Sequence, residues 1–177
     1  MKVWEHFRTI TAHKLKVMLL CFRVGLFKQG LLHDMSKYTP TEFLTGCRYY
    51  QGTRSPNARE REVVGYSTAW MHHKGRNKHH FEYWTDFSIQ SGRMAGVKMP
   101  VNYFVEMVMD RIAASKTYKG SAYKDSDSLV YFQNSTETDL MHPETRAQLL
   151  YVLKMLAAKG ERYTFRYLRH LLKKGSY

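Results

Sequence analysis

The sequence predicts an all-α fold in one domain that spans residues 1–177. Apolar residues recur at steps of three and four along most of the chain, which is the spacing of one face of a helix. No alternating pattern of useful length indicates a β-strand. A chain of 177 residues in which 44% are hydrophobic can bury one substantial core. We therefore expect a single helical bundle.

A long first helix is expected from Val3 to about Phe27. Its inward stripe contains His13 but not His6, so only His13 of these two is aimed at the core. The stripe consists of Phe7, Ile10, His13, Val17, Leu20, Val24 and Phe27. A short second helix from about Lys28 should carry residues 31–34 and end before Thr39-Pro40, because proline disfavours helix in the residue that precedes it.

The next part of the chain should contain one short helix and one long one. The short helix covers residues 42–50, and a loop follows at 52–57. The long helix runs from about Ala58 to Lys74 and stops at Gly75. Its stripe consists of Val63, Tyr66, Trp70 and His73. The helix therefore delivers histidines at its end, before a short linker at 76–78.

The second half of the chain should contain four helices. Pro100 suits the first turn of a helix that is apolar on nearly every face, and a polar loop follows at 116–125. Ser126 or Asp127 can cap a short helix through Phe132. A helix from 143 to about 158, a turn at Gly160 and a final helix through 172 form a C-terminal αα-hairpin over about 143–173.

The dipeptide His33-Asp34 indicates a metal site. It follows an apolar run, and burying an imidazole beside an ionised carboxylate costs several kcal/mol unless both groups are paired or coordinated. A divalent cation satisfies both groups. The alternative is a helix terminus at which His33 is only hydrogen-bonded.

Further histidines and a carboxylate extend this pattern. Asp110 lies in the middle of the apolar helix, so it must be ligated or paired with a basic residue from elsewhere. Four more histidines lie between these positions, at His72, His73, His79 and His80. Imidazole and carboxylate ligands suit Mn, Fe, Co, Ni or Zn, and the absence of cysteine from the set argues against a structural zinc finger.

The charge of the chain predicts an anionic partner. A net charge of +13 and a pI near 9.8 attract nucleotide phosphates, nucleic acid or an anionic surface. Lys74, Arg76 and Lys78 lie beside the histidines and could hold a substrate phosphate. A second basic cluster near the C-terminus fits either a solvated helix face or a nucleic-acid surface, and it consists of Lys159, Arg162, Arg166, Arg169, Lys173 and Lys174.

The cysteines and the lengths of the apolar runs predict the cellular compartment. Cys21 and Cys47 lie among apolar or aromatic residues, which favours a reducing cytoplasm over a disulfide framework. No apolar run approaches the roughly 18 residues that span a bilayer, and no signal peptide is visible. We expect a cytoplasmic protein without a membrane segment.

An ordered set of residues runs from His13, through the segment LLHDMSK at 31–37, to Asp110 within VMDRIA at 108–113. This order resembles the H, HD, D signature of the HD-domain metal-dependent phosphohydrolases over roughly residues 5–116. Ser36 stands where that family commonly has glycine. The resemblance implies an HD-domain-like helical bundle with its core at about 3–116, followed here by the helical hairpin.

The resemblance also implies roles for individual residues. A first metal ion would be held by His13, His33, Asp34 and Asp110. The extra histidines would bind a second metal ion or protonate a leaving group. Helical periodicity favours His73 over His72 as the inward member, and the choice between His79 and His80 is open. Asp34 would also orient the attacking water. Developing phosphoryl charge or substrate would be bound by Lys37, Arg76, Asn77, Lys78 and Arg111.

Three functions are therefore expected in order of preference. The first is hydrolysis of a phosphoester bond in a nucleotide or cyclic nucleotide by a water that one or two metal ions activate. The second is oxygenation at a di-iron centre, since the set also resembles HD-type di-iron oxygenases. The third is a non-catalytic basic module that binds nucleic acid. The chain further resembles a small uncharacterised bacterial and phage group that shares the His-Pro-Glu-Thr start of the hairpin at 142–145.

Overall fold

Helices make up most of the molecule, which confirms the predicted all-α class. The computed structural model describes residues 1–135 and 137–177. In the described ranges the helices are α1 Val3–Val24, α2 Phe27–Leu32, α3 Pro40–Tyr49, α4 Pro56–Val64, α5 Thr68–Lys74, α6 Val101–Lys119, α7 Asp127–Asn134 and α8 Pro143–Lys174. A two-stranded antiparallel sheet pairs β1 (Thr85–Ser88) with β2 (Arg93–Gly96).

The core is built around α6. This helix packs against α1 and α8, and its apolar residues are buried on most faces, as expected for a helix that is hydrophobic nearly all round. Phe104, Val108 and Ile112 are fully buried, together with Val17 of α1 and Leu153 of α8. Since α6 also carries Asp110, the centre of the bundle places that carboxylate beside residues from α1.

The prediction for the first two helices is partly wrong. Gly25 adopts a left-handed conformation (φ 89°) and caps α1 at Val24, so the helix ends earlier than expected. Phe27 consequently lies in α2 and is 60% exposed. His6 was expected to point away from the core, but it is buried and packs against Gly46 of α3. Because glycine has no side chain, α3 can approach α1 closely enough to cover His6.

The long helix predicted over 58–74 is two helices. Gly65 is left-handed (φ 88°) and ends α4, and the Ser67 side chain accepts a hydrogen bond from the Trp70 amide to start α5. Val63 and Tyr66 are more than half exposed, so the stripe assigned to them does not form. The corner between α4 and α5, at residues 65–67, directs the end of α5 into the bundle.

Two further boundaries differ from the prediction. The region 116–125 was expected to be a loop, but α6 continues to Lys119. The β1–β2 hairpin was not expected, and its strands of four residues are too short for a period-two pattern to be recognised. In its register Thr85 pairs with Gly96, and the Gly96 backbone lies against that of residues 140–142.

The C-terminal segment folds back on itself. Within α8, Gly160 has non-helical backbone angles (φ 73°, ψ 176°). The Gln148 side chain donates a 2.9 Å hydrogen bond to the Tyr167 hydroxyl, although a straight helix would separate these residues by about 28 Å. Gly160 therefore reverses the chain between two arms of α8. Within the described ranges, no helix has the length and apolar character needed to cross a membrane.

Candidate metal centre

The His33-Asp34 pair lies at a break between helices. His33 ends α2 with extended backbone angles, and Asp34 has φ 54° and ψ 25°, which makes it the one non-glycine residue with positive φ among those described. A left-handed aspartate is uncommon, and such strained backbone clusters at functional sites. The expected position inside a helix is therefore wrong. Leu31 and Leu32 before the pair are also more than half exposed, so the burial of the pair comes from other elements.

A first group of possible ligands joins three elements. His13 Nε2 of α1 lies 2.9 Å from Asp110 Oδ1 of α6 and 3.8 Å from Asp34 Oδ2. His33 Nε2 lies 3.3 Å from Asp34 Oδ2 and 3.6 Å from Asp110 Oδ1. One ligand atom from each of these four residues falls within 4.8 Å of the others. The structure thus brings together the four residues expected to hold one metal ion.

A second group meets the other oxygen of Asp34. His73 Nε2 at the end of α5 and His79 Nε2 each lie 3.3 Å from Asp34 Oδ1. His80 Nε2 lies 2.8 Å from His73 Nε2. Asp34, His73, His79 and His80 again place one ligand atom each within 4.8 Å. Both His79 and His80 therefore belong to this group, and Asp34 is shared by the two groups.

The donor atoms fit a cation. The Nε2 atoms of His13, His33 and His79 and both oxygens of Asp34 are buried, and none makes a hydrogen bond of normal geometry. Lys37 Nζ forms an ion pair with Asp34 Oδ2 at 2.6 Å. Leaving a buried polar atom unpaired costs about 1–3 kcal/mol each. A metal ion would satisfy several of these atoms at once, so the buried groups could hold one.

Glu106 orients two of the imidazoles. Its Oε1 atom accepts a 2.9 Å hydrogen bond from His33 Nδ1 and lies 3.2 Å from His79 Nδ1. Because an ionised carboxylate can only accept, the Nδ1 atoms carry the protons. The Nε2 atom of each ring then faces Asp34. Carboxylate–histidine pairs of this kind commonly support metal-binding imidazoles.

Glu42 of α3 orients the two histidines at the end of α5 in the same way. Its two oxygens accept 2.7 Å hydrogen bonds from Nδ1 of His72 and of His73. Asn77 Nδ2 adds hydrogen bonds to Ser36 Oγ (2.7 Å) and to the His73 carbonyl (2.8 Å), which ties the end of α5 to the turn after Asp34. The structure does not bring His72, a predicted ligand, into either group. It lies beside the site and holds Glu42.

Glu42 and Glu106 were not identified from the sequence. Glu106 stands four residues before Asp110 on an apolar helix, so the same argument that selected Asp110 could have selected it. Glu42 lies on an ordinary amphipathic helix, and its sequence offers no comparable signal. Its role depends on the packing of α3 against α5.

Electrostatics keep the carboxylates ionised. Burial alone would raise the pKa of Asp34, but the charges of His33 and Lys37 hold that pKa well below its usual range. Burial is likewise outweighed at Asp110, whose pKa is lowered by its contacts with His13 and His33. Both carboxylates therefore offer negative charge to a cation at neutral pH.

The other predicted binding residues occupy three different places. Lys37 lies beside Asp34 with its side chain 28% exposed. Arg76, Asn77 and Lys78 line a cavity that also reaches His33, His79 and Glu106. Arg111 lies over the Phe132 ring at 6.0 Å from its centroid and belongs to neither ligand group.

Fold and site together define an all-α protein with a buried histidine–carboxylate centre that could hold metal. The chain belongs to a family of unknown function (DUF5662), whose model matches residues 2–155. The match covers α1 to α7, every residue of both ligand groups and part of the first arm of α8. No curated protein and no solved structure matches the chain.

Proposed function

We propose that this protein is a metal-dependent phosphohydrolase of the HD-domain type, with one divalent transition-metal ion in each ligand group. The observation that carries the proposal is the shared carboxylate. Asp34 Oδ2 faces His13 and His33, and Asp34 Oδ1 faces His73 and His79. Asp34 would thus contribute one oxygen to each ion, and pairs of metal ions are frequent in enzymes that hydrolyse phosphoesters. Imidazole and carboxylate donors favour Mn, Fe, Co, Ni or Zn.

The chain supplies more than ligands to this reaction. A bound ion of this kind lowers the pKa of water towards neutrality and polarises a phosphoryl oxygen. Lys37 places a positive charge beside Asp34, and the charge of that carboxylate outweighs burial and raises the Lys37 pKa. This ammonium group stabilises negative charge that develops on the phosphoryl group. His73 acts as a ligand, because its Nε2 atom lies 3.3 Å from Asp34 Oδ1 within the second ligand group and Glu42 orients the ring through Nδ1.

The substrate reaches the centre at its exposed edge. Most ligands are almost fully buried, but the side chains of Asp110 and Lys37 are 17% and 28% exposed. A phosphoester that approaches here meets Lys37 first, and the net charge of +13 favours its arrival. A nucleotide or cyclic nucleotide in the cytoplasm is the substrate class that we infer.

Metal analysis of Asp34→Asn tests the proposal. Asparagine tolerates the left-handed backbone at this position, so the variant should fold. We expect wild-type protein loaded with Mn, Co, Ni or Zn to retain two ions per chain and to hydrolyse members of a panel of nucleotides, cyclic dinucleotides, phosphodiesters and oligonucleotides. Loss of a residue that merely supports a ligand costs about 10–100-fold in activity, so Asp34→Asn should lose more than about 100-fold and most of its metal.

Asp86→Asn is the matched control, because Asp86 is exposed on β1 and belongs to neither ligand group. It should keep both metal and activity. Metal-loaded wild-type protein that hydrolyses nothing in the panel would contradict the phosphohydrolase. Metal-free wild-type protein after growth and purification in metal-supplemented medium would contradict the centre itself.

The shared carboxylate also suits a second function, a di-iron oxygenase. Two ligand groups joined by Asp34 could hold two iron ions, and histidine-rich coordination is compatible with iron. Dioxygen consumption by the iron-loaded protein separates the two functions. The oxygenase would be favoured if the iron-loaded protein consumes dioxygen only when a substrate is present and releases no phosphate or alcohol from the panel.

A further inference from the structure

A cavity of about 340 Å³ opens on the side of the histidines that faces away from the ligand groups. Its floor includes Glu106, His33 and His79. Glu106 lies on the Nδ1 side of both rings, whereas the ligand groups meet their Nε2 atoms. His13, Asp34 and Asp110 do not line the cavity. The two imidazole rings therefore separate it from the metal centre.

The walls of the cavity are cationic. Lys28 of α2 and Arg76 and Lys78 of the segment after α5 line it, and all three are exposed. Among the described lining residues Glu106 is the one carboxylate, and its hydrogen bond to His33 engages it already. The rim thus presents three positive charges without a carboxylate of its own to neutralise them, which is an arrangement suited to an anion.

Neutral donors and an aromatic ring complete the lining. The side chains of Gln29 and Asn102 offer amides, and Tyr103 offers a ring surface. Lys78 Nζ lies 5.8 Å from the centroid of that ring, so charge and ring are adjacent. The volume falls within the range of small-ligand sites, roughly 300–1,000 Å³. A concave site of this size fits a small molecule rather than an extended polymer.

We propose that this cavity is a second binding site, for a phosphate-bearing small molecule, which lies behind the metal centre and is distinct from the site of hydrolysis. The proposal goes beyond the proposed function, since it requires only the cavity and its charges. A ligand here would contact the segment that carries His79 and the turn of α6 that carries Glu106. A ligand bound in the cavity would thus change the orientation of the His33 and His79 imidazoles without contacting the metal ion.

Nuclear magnetic resonance of zinc-loaded protein titrated with inorganic phosphate tests the proposal. Trp84 supplies a reporter, because its indole N–H donates a 2.7 Å hydrogen bond to the Lys78 carbonyl and its ring lies 5.8 Å from that of Tyr103. We expect saturable shifts of the Trp84 indole signal and of the Lys78 and Asn102 amides. Because charge-assisted hydrogen bonds to phosphate are the stronger ones, Lys28→Ala/Arg76→Ala should raise the apparent Kd at least about tenfold.

The matched control is Lys154→Ala/Arg166→Ala, which removes the same charge from exposed positions on α8. It should bind phosphate at the cavity as wild type does, and both variants should retain zinc. Shifts confined to amides around Asp34 and Lys37 would show binding at the metal centre only and would overturn the proposal. Equal weakening in both double variants would overturn it as well, since only net charge would then matter. Tighter binding of a single-stranded oligonucleotide than of AMP or phosphate at the same reporters would assign the surface to nucleic acid instead.

Discussion

Single atoms decide what the centre can bind. Asp34 is buried with a left-handed backbone, and its two oxygens point towards different imidazoles. The imidazoles in turn depend on carboxylates outside the two ligand groups that share Asp34. Glu106 binds Nδ1 of His33, and Glu42 binds Nδ1 of His73. These second contacts fix which nitrogen faces inward, so they should matter to metal affinity almost as much as the ligands themselves.

Substitution Glu106→Gln tests this dependence. The amide lacks the negative charge that holds the Nδ1 protons of His33 and His79, so their Nε2 lone pairs are less firmly presented. We expect zinc affinity, measured by competition with a chromophoric chelator, to fall about 10–100-fold. The control is Glu161→Gln, which removes a carboxylate that pairs with Arg23 and Lys116 and belongs to neither ligand group. An affinity unchanged in Glu106→Gln, or lowered equally in the control, would contradict the role of Glu106.

The elements that carry the ligands are held by polar contacts at their ends. The corner between α4 and α5 is organised by Glu60, a buried residue. Its carboxylate accepts hydrogen bonds from the Ser67 hydroxyl (2.5 Å), the Thr68 hydroxyl (2.7 Å) and the Thr68 amide (3.1 Å). These contacts fix the start of α5, and the last turn of α5 carries His73. The corner is thus a structural support for the second ligand group.

Glu60→Gln should destabilise the protein in a pH-dependent way. Hydrogen bonds to a charged carboxylate are lost, and we expect a decrease of about 1–3 kcal/mol in the free energy of unfolding at pH 7. Although burial opposes ionisation, the bonds from Ser67 and Thr68 lower the pKa of Glu60. A lowered carboxyl pKa stabilises the fold fully above its unfolded value of about 4.3, and this stabilisation is lost as the pH falls through the folded pKa.

Urea unfolding between pH 7 and pH 3 measures this difference. The gap in stability between wild type and Glu60→Gln should be largest near neutrality and should shrink below about pH 4.3. Glu5→Gln, at an exposed position in the first turn of α1, should show no such gap. A difference in the free energy of unfolding that stays constant with pH would mean that the charge of Glu60 does not stabilise the corner between α4 and α5.

The reversal of α8 depends on one glycine. Gly160 has φ 73° and ψ 176°, which side chains other than glycine rarely adopt, and a Cβ atom there would lie 3.3 Å from Asp125 Oδ2. Gly160→Ala should therefore lower the free energy of unfolding by about 1–3 kcal/mol. Chemical denaturation compares it with Lys159→Ala, an exposed neighbour that should be nearly neutral. Equal stability of the two variants would contradict a strained turn.

The whole molecule brings distant parts of the chain to one place. The ligand groups combine α1, the turn after α2, the end of α5, the segment at 79–80 and α6. A metal ion that binds this set binds only the folded chain with high affinity. Its binding therefore adds to the stability of the entire fold.

Metal removal should lower the melting temperature of the wild-type protein. A ligand at 100 times its Kd stabilises the folded state by about 2.7 kcal/mol, which corresponds to about 5–10 °C for a domain of this size. Calorimetry of zinc-loaded and chelator-treated protein measures the difference. Asp34→Asn should show little change between the two states. A melting temperature that is the same with and without zinc in wild-type protein would count against a buried site shared by these elements.

Local periodicity predicted much of the molecule. It indicated the helical class, the apolar α6 with Asp110 at its centre, the inward position of His13 and the choice of His73 over His72. It was wrong where one residue changes the backbone direction, as at Gly25 and Gly65, which end α1 and α4. The apolar pattern of a helix face continues across such a glycine in the sequence, whereas the helix itself ends there.

The sequence by itself determined the all-helical class and the types of side chain that could bind metal, because helix faces and residue chemistry are local properties. Only the tertiary structure decided that Asp34 is shared by two ligand groups, that His72 lies outside both, and that Glu106 orients His33 from 73 positions away. These contacts join residues that no short-range pattern relates. The packing of α1, α3, α5 and α6 creates them, and that packing depends on the whole chain.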